Sequence, residues 1–191
     1  MIFATNNPNK LRELQSIFFE DNIESLSDYN INIDIPETGK TFYENALIKA
    51  KTIYDLTKTP TIADDSGLIF LELKDWPGIY TNRIKEEAEK LGLTRNEYLI
   101  EKGKTLKNKD IEAICVLVYY DGKNIISKEG KMEGTITSKE YPGNGFGFDS
   151  IFKLRDGRIV SSLKSEEKNK LSHRYQASVK LKEEIKKRFN Q

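Results

Sequence analysis

Lys10, Glu37, Lys49, Asp64 and Asp65 are side chains of this 191-residue sequence whose types allow joint chemistry. Three acids alone would repel an anion. Set among two lysines, they suit a phosphate chain approached through a hard divalent cation. Mg2+ takes oxygen ligands, keeps several waters, and is commonly held by one or two carboxylates together with substrate phosphates. A remaining carboxylate is then free to orient or deprotonate a water, while lysine ammonium groups neutralise phosphate oxygens as point charges. A metal, cations and a base over phosphorus are what phosphoryl-group displacement requires.

Such a set works only if separate elements deliver it to one place. Ile2-Phe3-Ala4 is a short apolar run, Thr5-Asn6-Asn7-Pro8-Asn9-Lys10 is polar, and Leu11, Leu14, Ile17 and Phe18 recur at helical spacing. This predicts strand, turn, helix. The turn offers a hydroxyl, side-chain amides and an ammonium where a helix exposes unpaired N–H groups, a setting for a polyphosphate. Ile31, Ile33 and Ile35 alternate with Asn32 and Asp34, which predicts a strand with one wet face. Pro36–Gly39 reads as a turn. Thr41-x-x-Glu44 is a capping box opening a helix to about Leu56, with Leu47, Ala50, Ile53 and Tyr54 inward. Thr61–Ala63 reads as a short strand, Asp64-Asp65-Ser66-Gly67 as the loop at its end, and Leu68–Leu73 as extended again.

Further along, Ile84–Gly103 reads as helical, with Thr94-x-x-Glu97 as a second capping box. Asp121-Gly122 between Ile111–Tyr120 and Lys123–Met132 is a hairpin signal. Gly143–Asp149 is a glycine-spaced loop before a strand at Ile151–Leu154, and the chain from Ser165 reads as mostly helical. The order of elements gives an α/β fold with a mixed sheet. Ligands bind outside strand carboxyl ends in such sheets, so Thr5–Lys10, Pro36–Gly39 and Asp64–Gly67 are expected on one edge.

The length fits one domain over residues 1–191, with room for two lobes. A net charge of +1, from 31 basic and 30 acidic residues, argues against a general nucleic-acid or membrane-surface binder. Lys180–Arg188 is read as the solvated face of a final helix. The single cysteine, Cys115, lies in an apolar run and is read as a small buried hydrophobe in a reducing compartment. With no signal pattern and no membrane-length apolar run, the expectation is a cytoplasmic protein without membrane or nucleic-acid partners.

Several motifs, in order, resemble one family. They are Thr5-x-Asn7-x-x-Lys10, Glu37-Thr38-Gly39-x-Thr41-Phe42-x-Glu44-Asn45-Ala46-x-x-Lys49-Ala50 and Ala63-Asp64-Asp65-Ser66-Gly67-Leu68. Pro77-Gly78-Ile79-Tyr80, Gly145-Phe146-Gly147-Phe148-Asp149-x-Ile151-Phe152 and Glu166-Glu167-Lys168-x-x-x-Ser172-His173-Arg174 follow. The chain thereby resembles the inosine triphosphate pyrophosphatases, which hydrolyse deaminated purine nucleoside triphosphates. The resemblance implies an elongated mixed α/β sheet flanked by helices, two lobes with a central cleft, and usually a homodimer. It implies a Mg2+-dependent conversion of ITP, dITP or XTP to the monophosphate and pyrophosphate. By analogy Thr5, Asn6, Asn7, Pro8, Asn9, Lys10, Lys49 and Lys168 hold the triphosphate. Glu37 and Asp65 match the metal-binding carboxylates, and Asp65 also the proton acceptor, with Asp64 and Ser66 lining the same loop. Phe146, Gly147, Phe148, Asp149, His173 and Arg174 match the part that holds the base. Locally the chain departs from the pattern: Asn6 stands for a common Gly, Phe148 for Tyr, Ser150 for Pro and Tyr175 for Gly. Ile84–Asp110 matches least and is given no role.

Stacking on Phe146 cannot tell purines apart, because each has a π-face. Hydrogen bonding can: adenine carries a donor at its six position and the deaminated bases an acceptor. Arg174 or His173 would donate to the six-oxo group and leave adenine badly paired, which discriminates by factors of about 10,000 or more. A pyrophosphatase for other modified nucleotides is a related reading, and two readings of other kinds compete. A non-catalytic nucleotide- or RNA-associated protein gains nothing from Glu37, Asp64 and Asp65. An aspartate-nucleophile phosphohydrolase would want carboxylates two positions apart, and here they are adjacent.

Overall fold

Strand β1 (Ile2–Phe3) stops after two residues, where the polar turn begins. In this computed structural model, which describes residues 1–189, the turn leads into α1 (Pro8–Ile17). Helix α2 (Phe42–Thr57) follows, then the ten-residue strand β2 (Thr61–Phe70) and the short β3 (Trp76–Pro77). Helices α3 (Ile84–Lys90) and α4 (Arg95–Lys104) precede β4 (Asp110–Tyr120) and β5 (Ile125–Ile136). The chain ends with β6 (Phe152–Leu154), α5 (Ser165–Leu171) and α6 (His173–Phe189). The described strands form one sheet in the order β1-β2-β4-β5-β6, with β3 also paired to β2. β1 runs parallel to β2, while β2–β3 and β5–β6 are antiparallel, so the sheet is mixed.

Most elements form where the local chemistry predicts them. Thr41 caps α2 by accepting from the Glu44 N–H at 3.1 Å, but the Glu44 carboxylate takes the Lys40 N–H, so the reciprocal half of the box shifts one residue back. The inner stripe of α2 is Asn45, Ala46, Ala50 and Ile53, while Leu47 and Tyr54 are only half-buried. The predicted helix over Ile84–Gly103 is broken at Gly92, whose φ of +71° ends α3 before Thr94 opens α4.

Leu71–Leu73, expected to be extended, forms a 3-10 turn after β2 ends at Phe70, and two further expectations fail. Ile31–Ile35 is not a strand. The other edge of β1 is taken by Glu24, which exchanges backbone bonds with Met1 and Phe3 at 2.8 and 2.9 Å, so the later isoleucines find no ladder to join. Asp64–Gly67 is not a loop either: β2 runs through it unbroken. Turn-forming residues here sit in a strand because tertiary context overrides propensity.

The chain divides into two compact units, Met1–Ser66 with Cys115–Gly130 and the segment from His173, and Gly67–Ile114 with Lys131–Ser172. In the first, Leu14 and Phe18 of α1 and Ala177 and Leu181 of α6 pack with Phe3, Ile62 and Leu117 of the strands. Burying one such leucine or phenylalanine contributes roughly 1.5–3 kcal/mol. The core of the second joins Leu68, Phe70, Ile111 and Phe152 to Leu99 of α4. No described helix is long and apolar enough to cross a membrane.

Candidate active site

Successive residues of a strand point to opposite faces, and in β2 this separates Asp64 from Asp65. Ile62 packs in the core with α1 and α6, so Asp64 faces those helices. There its Oδ2 accepts from Lys10 Nζ of α1 at 2.8 Å and lies 3.5 Å from Arg174 Nε of α6. Ser66, on the same face, accepts from Arg174 Nη2 at 3.2 Å, and Arg174 Nη1 pairs with Glu13 at 2.7 Å. Asp65 looks the other way, toward α2, and accepts from Asn45 Nδ2 at 2.9 Å.

Asn45 also holds the Glu37 turn. Its Oδ1 accepts from the Gly39 N–H at 2.8 Å. A Cβ on Gly39 would stand 2.7 Å from that oxygen, so only glycine permits the approach. One turn further along α2, Lys49 Nζ donates to Glu37 Oε1 at 2.7 Å. Glu37, Lys49 and Asp65 thus converge around a single fully buried asparagine.

The two neighbouring acids titrate in opposite directions. Burial alone would raise Asp64, but the charges of Lys10, Arg174 and Lys49 override it and hold its carboxyl well below the usual range. For Asp65 burial wins: Lys49 and Asn45 oppose it, Glu37 and Asp64 add like charge, and the pKa is pushed up to about 6. Desolvation of half-buried Lys49 would lower its pKa, yet Asp64, Asp65 and Glu37 together keep it above the ordinary value. Cys115, by contrast, is driven up to about 12 by burial, which suits a packing residue.

At the start of α1, Asn7 Oδ1 accepts from the Asn9 and Lys10 N–H groups at 2.9 and 3.4 Å, and Pro8 takes the first helical position. Two donors expected to be open are therefore already satisfied by the cap. Thr5 closes the turn by accepting from the Asn7 N–H at 3.2 Å, and Asn6 is exposed.

The second unit holds a different polar centre. In the Gly143–Asp149 segment, Gly145 and Gly147 adopt φ of +107° and +70°. Asp149 Oδ2 accepts from the Phe146 N–H at 2.7 Å and pairs with Lys168 of α5 at 2.6 Å. The Lys168 ammonium lies 4.4 Å from the Phe146 ring centroid. Lys168, expected among the triphosphate ligands, is thus built into the aromatic loop, whereas His173 and Arg174 start α6 in the first unit. Sequence reasoning passed over Asn45 and Glu13. The first had a signal, since its motif places Gly39 and Asn45 around one helix start; the second had none.

Among the described residues, no three His, Cys, Asp or Glu side chains gather as a metal-holding group. Glu37 and Asp65 are two hard oxygen donors within electrostatic reach of each other, which fits a cation completed by water and phosphate.

A model of the Ham1 family matches residues 1–184. A dITP/XTP pyrophosphatase of Leptospira interrogans serogroup Icterohaemorrhagiae serovar copenhageni is 40% identical over 188 residues, or 93% of this chain and 92% of that protein. One from Aquifex aeolicus is 36% identical over 95% of this chain and 94% of its own. The solved structure of a HAM1 protein from Coxiella burnetii matches with a TM-score of 0.85 at 30% identity, over 97% of this chain and 98% of that one.

Proposed function

The chain belongs to the Ham1 family, and on that premise we propose that it hydrolyses deaminated purine nucleoside triphosphates (dITP, ITP, XTP) to the monophosphate and pyrophosphate. The family places it among hydrolases whose curated members are dITP/XTP pyrophosphatases. The observation that carries the chemical assignment is the pair Asp64 and Asp65, adjacent in sequence and driven apart in acidity. Divergent titration of neighbouring acids is how one site obtains both a fixed charge and a base.

In this reading water attacks the α-phosphorus, the bond from phosphorus to the bridging oxygen breaks, and pyrophosphate leaves. Asp65, with a pKa of about 6, is ionised at neutral pH yet basic enough to take the water's proton. Asp64 stays anionic and holds Lys10 and Arg174 in place. Lys10 and Lys49 offer their ammonium groups to the phosphate oxygens, with the Thr5–Asn9 turn supplying neutral donors. Mg2+, when bound by Glu37 and Asp65, would supply the positive charge that lets a triphosphate approach acids. Phe146 and Phe148 hold the base. Glu13 and Ser66 fix the orientation of Arg174. We further assign a homodimer and a cytoplasmic location.

The test is incubation with dITP, XTP, ITP, dATP, dGTP and thymidine triphosphate, with Mg2+ or with EDTA. The expected products are monophosphate and pyrophosphate, from the deaminated substrates alone and only with Mg2+. Diphosphate and phosphate, equal rates on every base, or full activity in EDTA would overturn the corresponding part.

A further inference from the structure

The start of α4 lies in the stretch to which sequence assigns no role, and it is tied to the aromatic loop. Thr94 opens the helix with a complete capping box: its Oγ1 accepts from the Glu97 N–H at 3.1 Å, and Glu97 accepts from the Thr94 N–H at 2.7 Å. From this fixed turn, Asn96 Nδ2 donates to the Gly147 carbonyl at 3.0 Å and to Ser150 Oγ at 3.2 Å. Gly147 stands between Phe146 and Phe148, and its carbonyl belongs to the peptide leading into Phe148. The Asn96 amide therefore sets the plane of that peptide, and with it the direction in which the Phe148 ring leaves the backbone.

Neighbouring contacts make this bond matter more. Arg95 Nη1 donates to Asn82 Oδ1 at 3.1 Å, and a Cβ on Gly147 would lie 3.9 Å from Arg95 Nη2. Arg95 and Asn96 also line a cavity of about 810 Å³ with Asn82, Leu93 and Glu140, so packing does not clamp them all round. The contact with the loop is polar. Its second acceptor is the Ser150 hydroxyl.

We infer that Asn96 is a positioning residue for base selectivity: it holds Phe146 and Phe148 through the Gly147 carbonyl, and although stacking itself does not tell purines apart, the ring positions fix where the six position of a stacked base meets a hydrogen-bond donor. This rests on the reading of that loop as the base holder.

Asn96→Asp tests it. The variant keeps the shape, suits the first turn of a helix, and replaces the donating amide with a carboxylate that repels the carbonyl. Assayed on the full chain with Mg2+, it should raise KM for dITP and XTP by about 3- to 10-fold, the worth of one hydrogen bond. It should leave kcat unchanged and lower the dITP-to-dATP ratio of kcat/KM. Asn96→Ala should move both in the same direction. Phe146→Ala is the control. If it raises KM while Asn96→Asp leaves KM and the ratio at their original values, the inference is overturned and the base loop stands. If Phe146→Ala leaves KM unchanged, the base-loop reading fails and the inference with it. A lower Tm for Asn96→Asp with KM and ratio intact makes the residue merely structural, which also overturns it.

Discussion

In the first unit the polar residues are buried and half-buried charges that hold one another: Asp64 with Lys10 and Arg174, Arg174 with Glu13, Glu37 with Lys49. In the second, the loop around Phe146 takes its shape from left-handed glycines, from a carboxylate gripping a backbone N–H, and from an amide gripping a carbonyl. Charge in a low-dielectric setting is strong and intolerant of loss. Backbone clamps are individually modest. The first kind of construction suits chemistry on a polyanion, and the second suits discrimination among flat rings. Changes in the first unit should therefore be large and act on turnover or folding, while those in the second should be smaller and act on substrate choice.

The largest effect is expected from Asp65→Asn. Loss of a general base should cut kcat by about 100- to 10,000-fold with the fold intact by circular dichroism. In the unaltered enzyme, kcat/KM should fall with pH as Asp65 takes up a proton, with a midpoint at about 6 in the metal-free protein that bound Mg2+ moves lower. A variant with near-normal turnover at saturating Mg2+ would remove Asp65 from the mechanism.

Arg174→Ala comes next, on stability. Arg174 is 4% exposed, and its removal takes one of two cations from buried Asp64, leaving Lys10, and takes the guanidinium away from half-buried Glu13. A cost of about 3–5 kcal/mol is expected in denaturant unfolding. A cost below that of an ordinary surface substitution would mean the ion pairs are not what holds this part together.

The two neighbouring acids should also pull stability in opposite directions with pH. The folded state raises the Asp65 pKa, so its contribution is fully present below the unfolded value of 3.8 and lost as pH rises through about 6. Asp64 is depressed, so its contribution is present above 3.8 and lost only as pH falls toward its folded value. In EDTA, Asp65→Asn should therefore raise Tm at pH 7.5 relative to the unaltered protein. The gain should shrink as pH drops from 6 toward 4; a gain that stays constant with pH would refute the assignment.

The smallest effect sharpens the contrast from the other side. Gly145 sits at φ +107°, and an added Cβ would collide with the Asp149 carboxylate. Gly145→Ala should cost about 1–3 kcal/mol and raise KM for dITP while leaving the pH profile alone. A shifted pH profile would show that the two centres are less independent than their construction implies.

Helix starts were legible in the sequence because capping chemistry is local: Thr41 and Thr94 open α2 and α4 as their side chains dictate. The mixed α/β class followed from the order of elements. β2 was misread because Asp-Asp-Ser-Gly has turn composition, and only neighbouring strands and paired charges keep it extended. The Ile31–Ile35 alternation misled because a period of two marks a strand only where a partner edge exists. In the candidate site, residues within one motif were visible. Links between distant segments, such as Arg174 to Glu13 or Asn96 to Gly147, depend on packing that no local pattern encodes.

β1 pairs with β2 only at Thr61 and Ile62, and β3 only at Ile69 and Phe70. Neither reaches the interval that contains Asp64 and Asp65. A longer first strand would add ladder bonds and a firmer sheet, yet it would use up the turn that starts α1 and carries Lys10 to Asp64. The brevity of β1 therefore exchanges a few backbone bonds for a well-placed ammonium, and selection for thermal robustness alone would tend to reverse that exchange.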